Sequence, residues 1–168
     1  YYGCGEFGAE GLDSYHVMQQ NYPYWLPVSS EKENEWSPNQ IALAQVGKFH
    51  YLFFDTPDTT VQDWIKASWR YQAWAIRIMT EAFRRDYRMV TYAVHLFIDA
   101  WPSGWMKAIM DVGRNPKDAY FAYKDCNEPM IVSLRTDRFA WTSGDEMVLE
   151  AWICNDLPEP VDNSYKLH

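Results

Sequence analysis

Met89-Val90-Thr91-Tyr92-Ala93-Val94-His95-Leu96-Phe97-Ile98-Asp99-Ala100-Trp101-Pro102 says what kind of fold this chain takes. From Met89 to Ile98 it is nearly all apolar, the pattern of a parallel strand covered on both faces. Alternation sorts the residues onto two sides. Val90, Tyr92, Val94, Leu96 and Ile98 form the bulkier side, expected to meet helices. Thr91, Ala93, His95, Phe97 and Asp99 form the smaller and more polar side. The C-terminal ends of strands in such sheets carry the chemistry. His95 and Asp99 are therefore expected at the open end of the sheet. A satisfied core histidine is the alternative reading of His95.

The N-terminal stretch Gly3-Cys4-Gly5-Glu6-Phe7-Gly8-Ala9-Glu10-Gly11-Leu12-Asp13 supplies a second strand end. Glycines at this density suit tight turns and close backbone approach. Read as a strand, it puts Tyr2, Cys4 and Glu6 on one face, with Glu6 at the strand end facing a cleft. A glycine-rich loop with solvated acids is the other reading of the same residues.

Together the two stretches give the chain a resemblance to glycoside hydrolase family 2, the β-galactosidases, β-glucuronidases and β-mannosidases. Gly5-Glu6-Phe7-Gly8 is similar to the end of that family's seventh barrel strand. Asp99-Ala100-Trp101-Pro102 is similar to the second half of the motif ending its eighth. The resemblance covers roughly residues 1 to 155. It implies the C-terminal portion of a (β/α)8 TIM barrel, strands seven and eight with their helices, over residues 1–128. The first strands of an Ig-like β-sandwich follow over 129–168. It implies a retaining β-glycosidase, with Glu6 as the nucleophile. The acid/base, a Glu after an Asn at the end of strand four, is expected upstream of residue 1. His95, Leu96 and Ile98 stand where the family pattern expects Trp, Gln and Asn, so the usual sugar contacts of that strand are altered. The candidate substrate contacts are His95, Asp99, Trp101 and Trp25, the last from the aromatic, proline-rich stretch Asn21–Pro27. The implied partners are a carbohydrate substrate and the remainder of the barrel. No cofactor is expected. A non-catalytic sugar-binding module, with Trp25, Trp101 and Trp105 as platforms, or a structural module is the alternative.

The rest of the chain fits an α/β reading. Residues 1–36 are expected to be a strand end and a long loop. Ser37-Pro38-Asn39-Gln40 reads as a helix start. Thr60-Val61-Gln62-Asp63 opens the longest helix, with Val61, Trp64, Ile65, Ala75, Ile76, Met79 and Phe83 at helical spacing. Lys66, Arg70, Arg77 and Arg84 fall mostly on its other side. Arg84-Arg85 places basic charge at its C-terminus. A short helix is expected from Asn115 to about Cys126, after a Gly-Arg-x-Pro-Lys turn like the one in the family. Beyond Pro129 the period changes to that of strands, with a turn at Thr142-Ser143-Gly144-Asp145.

Composition narrows the function classes. The chain has 168 residues, enough for one sizeable core but fewer than the roughly 250 of a whole barrel. A net charge of −8 lacks the basic footprint of a nucleic-acid binder. No apolar run approaches the roughly 20 residues of a membrane helix. Cys4, Cys126 and Cys154 are too scattered for a metal motif and odd in number for a disulfide framework. The four histidines have no zinc spacing. Nine Trp and twelve Tyr suit sugar platforms, though rings also simply fill cores.

Overall fold

The computed structural model describes residues 1–21, 60–100, 106–158 and 160. Its elements, numbered over those residues, are β1 (Tyr2–Phe7), α1 (Tyr15–Asn21), α2 (Val61–Arg85), β2 (Met89–Val94), α3 (Asp118–Cys126), β3 (Met130–Thr136) and β4 (Leu149–Asn155). The fold is mixed α/β. Among the described residues the strands form two separate two-stranded sheets and no closed barrel: β1 and β2 are parallel, β3 and β4 antiparallel.

α2 organises the molecule. It starts as the sequence predicts, with Thr60 Oγ1 accepting from the Asp63 N–H at 3.2 Å, a standard N-cap. Its apolar stripe splits between two core clusters. Val61, Trp64 and Ile65 pack with Leu12, Met18 and Met106. Ile76 packs with Phe7, Ile109 and Ala119, and Met79, Phe83, Tyr92 and Val94 close over them. Phe83 stacks on Tyr92 at 5.3 Å and meets Phe7 edge-on at 5.0 Å, both favourable ring geometries. Of the bulky side of β2, Tyr92 and Val94 pack toward the helix, but Val90 is exposed, and with Thr91 and Ala93 exposed as well the strand is not covered on both faces as the sequence predicts.

Three further expectations need correction. The stretch after β1 is not a continuous loop, because Tyr15–Asn21 forms α1 and buries Val17 and Met18. β2 stops at Val94 rather than Ile98. The His95 N–H makes the last bond to β1, donating to Phe7 O at 2.8 Å. The chain then pairs elsewhere: Ile109 N–H donates to Leu96 O at 2.9 Å and Met110 N–H to Phe97 O at 3.1 Å. The His95–Leu96 peptide is cis. Third, β1 does not alternate strictly. Cys4 pairs with Tyr92 and Phe7 with Val94, so three steps on β1 match two on β2, a bulge. Cys4 and Phe7 both reach the core, and Glu6 is turned away from Cys4.

Arg84 and Arg85 lie in the last turn of α2, as the sequence predicts, and Arg84 also reaches other elements. Its side chain is 3 % exposed and its Nη1 donates to Cys126 O at 2.7 Å, satisfying an end carbonyl of α3. Nη2 donates to Asp156 Oδ2 at 2.8 Å. One guanidinium thereby ties α2, α3 and the β3–β4 hairpin. Ser133 Oγ adds a second tie, donating to Glu81 Oε2 at 2.7 Å. The expected turn at Thr142–Asp145 is present, with Asp145 N–H donating to Thr142 O at 3.0 Å. The predicted helix start at Ser37 lies outside the described residues.

Candidate functional site

β1 and β2 are neighbours and parallel, so their C-terminal ends meet. Glu6 comes from one end and His95 from just past the other. Glu6 Oε2 lies 4.0 Å from His95 Nδ1, too far for a hydrogen bond and close enough for both to touch one small ligand. The carboxylate is 75 % exposed and the imidazole 33 % exposed, so both face open space. Glu6, Phe7, Gly8, His95 and Lys107 line a cleft of about 200 Å³. That is small beside the roughly 300–1,000 Å³ of sites for drug-sized ligands.

Gly8 lets the two strand ends approach. A Cβ at this position would stand 2.3 Å from His95 O, so any side chain would push the strand ends apart. Lys107 adds a cation to the rim. Nothing local in the sequence marks it; it enters the cleft because the chain returns to run parallel beside Leu96–Ile98.

The other candidates do not gather here. Asp99 is 4 % exposed and continues the Leu96–Ile98 stretch: its N–H donates to Met110 O at 3.0 Å and its Oδ1 accepts from Ala100 N–H at 2.9 Å. It does not line the cleft. Trp25, Trp101 and Trp105 lie outside the described residues. No described group of His, Cys, Asp and Glu is arranged to hold a metal ion. No described helix is long and apolar enough to cross a membrane.

The loop leaving β1 is not a solvated one. Glu10, Leu12 and Asp13 are buried. Gln72 of α2, fully buried, donates through Nε2 to Ala9 O at 2.9 Å and Lys107 O at 3.1 Å. Lys117 Nζ stands 2.9 Å from Asp13 Oδ1, with both side chains buried. Burial pushes the Asp13 carboxyl above its ordinary range; Lys117 pulls it down, and the charges of Asp99 and Asp111 push it up again.

A larger cavity, about 310 Å³, is lined by Phe97, Tyr120, Tyr123, Lys124, Asn127 and Glu128. Its lining includes neither Glu6 nor His95. The smaller cleft is the better candidate, because it alone of the two joins a carboxylate and an imidazole at adjacent strand ends.

The structure is similar to part of a β-D-mannosidase from Dictyoglomus thermophilum, with a TM-score of 0.55 and 16 % sequence identity. The match covers 94 % of this chain and 24 % of that one. At this identity the likeness is one of fold. The chain spans about a quarter of the length of the mannosidase. No family model matches the sequence, and no curated protein matches it.

Proposed function

We propose that this chain is a segment of a glycoside hydrolase, in which Glu6 is the nucleophile of a retaining β-glycosidase. The observation that carries the reading is Glu6 facing His95 across one cleft at the C-terminal ends of two adjacent parallel strands. Its fold likeness to part of a β-D-mannosidase supports the same reading. So does the similarity of Gly5-Glu6-Phe7-Gly8 to the nucleophile motif of glycoside hydrolase family 2. In this reading residues 1–128 are the last two strands and helices of a barrel, and 129–168 begin an Ig-like β-sandwich.

In this reading a Glu6 oxygen attacks the anomeric carbon. The glycosidic C–O bond breaks, and its electron pair leaves with the aglycone oxygen, which takes a proton from a general acid elsewhere in the enzyme. Water then releases the glycosyl ester. The two carboxyl groups of such an enzyme stand about 5–5.5 Å apart. Glu10 does not supply the second, since its side chain is buried and it follows Glu6 on the same loop. The exposed position of Glu6 leaves its oxygens open to a sugar. His95 and Lys107 carry N–H groups that point a sugar hydroxyl toward the attack geometry.

The test is Glu6→Gln in the full-length protein, assayed with aryl β-glycosides. Turnover should fall by roughly three orders of magnitude or more, with binding of a competitive sugar inhibitor retained. A variant that binds and turns over like the parent removes Glu6 from the chemistry. A parent that binds sugars without hydrolysing them, with binding intact in Glu6→Gln, would select the carbohydrate-binding module instead.

A further inference from the structure

Buried polar side chains outside the proposed chemistry bind the loops that carry it. Lys117 is 1 % exposed and Asp13 is 2 % exposed at the side chain, where lysine and aspartate almost never lie unless paired. Lys117 Nζ donates to Gly11 O at 2.8 Å and stands 2.9 Å from Asp13 Oδ1. The Gly11 N–H donates to Met106 O at 2.9 Å. Gly11 is thus held through both its N–H and its C=O by the chain that follows β2, and Met106 is the neighbour of Lys107. The backbone of Lys117 is fixed too, its N–H donating to Ile109 O at 2.9 Å. Gln72 grips the same two loops from the helix side through Ala9 O and Lys107 O.

We infer that Asp13 and Lys117 are a positioning pair for the cleft: they fix the separation of the loop running on from Glu6 and the segment presenting Lys107. The inference rests on the glycosidase reading. A buried ion pair kept only for stability is replaceable by packed apolar side chains of similar volume at little cost. This pair is not replaceable in that way. No apolar side chain donates to the Gly11 carbonyl, and a buried acceptor left unpaired loosens the contact it made. Displacements of this size matter to the reaction, since about 1 Å of misplacement costs on the order of 100-fold in rate.

The decisive variant is Asp13→Leu with Lys117→Met, made together in the full-length protein so that no lone buried charge remains. The protein should still fold, with a melting temperature lowered only modestly because the Gly11 carbonyl loses its donor. The kcat on an aryl β-glycoside should fall about 100-fold with KM within about twofold, the mark of an interaction spent in the transition state. Amide exchange at Gly11 and Ile109 should rise about tenfold or more, with Tyr92 and Val94 unchanged. A kcat within about twofold of the parent, or unchanged exchange at both amides, overturns the inference. If the double variant does not fold, Asp13→Asn, which keeps the volume, takes its place: kcat should fall about tenfold, and an unchanged kcat overturns the inference. If the parent hydrolyses no glycoside, the glycosidase reading falls, and the exchange measurement still decides whether the pair holds the loops.

Discussion

The loop after β1 and the β3–β4 hairpin depart in opposite directions from the rule that apolar groups go inside and charges outside. Glu10 and Asp13 are buried in the loop, with Lys117 brought in from another element. In the hairpin Val132, Leu134, Leu149 and Ile153 share one face of the sheet by register, and each is roughly half exposed. The opposite face of the hairpin carries Ser133 and Cys154, which are buried where it meets the rest of the molecule. Burying charge is expensive and seldom a source of net stability, so its presence under the cleft calls for a geometric role. An apolar sheet face left in water is a surface shaped for cover, which supports reading the hairpin as the start of a sandwich. One region is over-determined by its own chain and the other is under-determined by it.

The contrast can be broken most forcefully at the buried pair. Lys117→Met alone strands Asp13 beside Asp99 and Asp111, and should cost about 3–5 kcal/mol in urea-induced unfolding. A loss no larger than that of an ordinary surface substitution would show that the pair is not buried as described. Gly8→Ala comes next. Its Cβ would meet His95 O at 2.3 Å, a backbone atom that moves only with its strand end. We expect about 1–3 kcal/mol of destabilisation and a matching loss of turnover; an unaltered variant would remove the close approach on which the cleft depends.

A pH titration sharpens the comparison. Burial raises the Asp13 carboxyl above 3.8. The folded protein therefore keeps a proton at pH values where the unfolded chain has lost it. The contribution of this group to stability falls as pH rises from about 3.8 through the folded value, then levels off. Asp13→Asn should flatten that part of the curve when melting temperature is followed from about pH 4 to about pH 7. A wild-type curve unaffected by the substitution would contradict it. The smallest effect belongs to the hairpin. Leu134→Ser in this chain should change stability by no more than about 0.5 kcal/mol. A large loss would mean that the face is already covered.

Much of the fold was readable because the signals are local. Thr60 and Asp63 are three residues apart, the α2 stripe repeats within one helix, and each strand of the hairpin is an apolar run of its own. The neighbourhood of the two parallel strands is what the family resemblance implies; the apolar run of Met89–Ile98 alone gives only the character of a parallel strand. The site was readable in part. Glu6 and His95 each mark a strand end by local pattern, and the structure brings them together. Asp99 was assigned to the same face by counting alternation past Val94, where the strand had already ended. The β1 bulge was hidden for a similar reason: the pattern gives a period and cannot show where an extra residue is absorbed. Lys117, Gln72 and Lys107 left no local trace. Lys117 reaches a carbonyl 106 residues away, and such a contact exists only once the whole chain has folded.

The measurement that bears most directly on the account is covalent labelling of the full-length protein with a 2-deoxy-2-fluoro β-glycoside carrying a good leaving group, followed by peptide mapping. The account predicts one sugar per protein, attached to the Glu6 carboxyl in the peptide spanning the β1 end, and no label in Glu6→Gln. A label on any other carboxylate, or labelling that persists in Glu6→Gln, would contradict it.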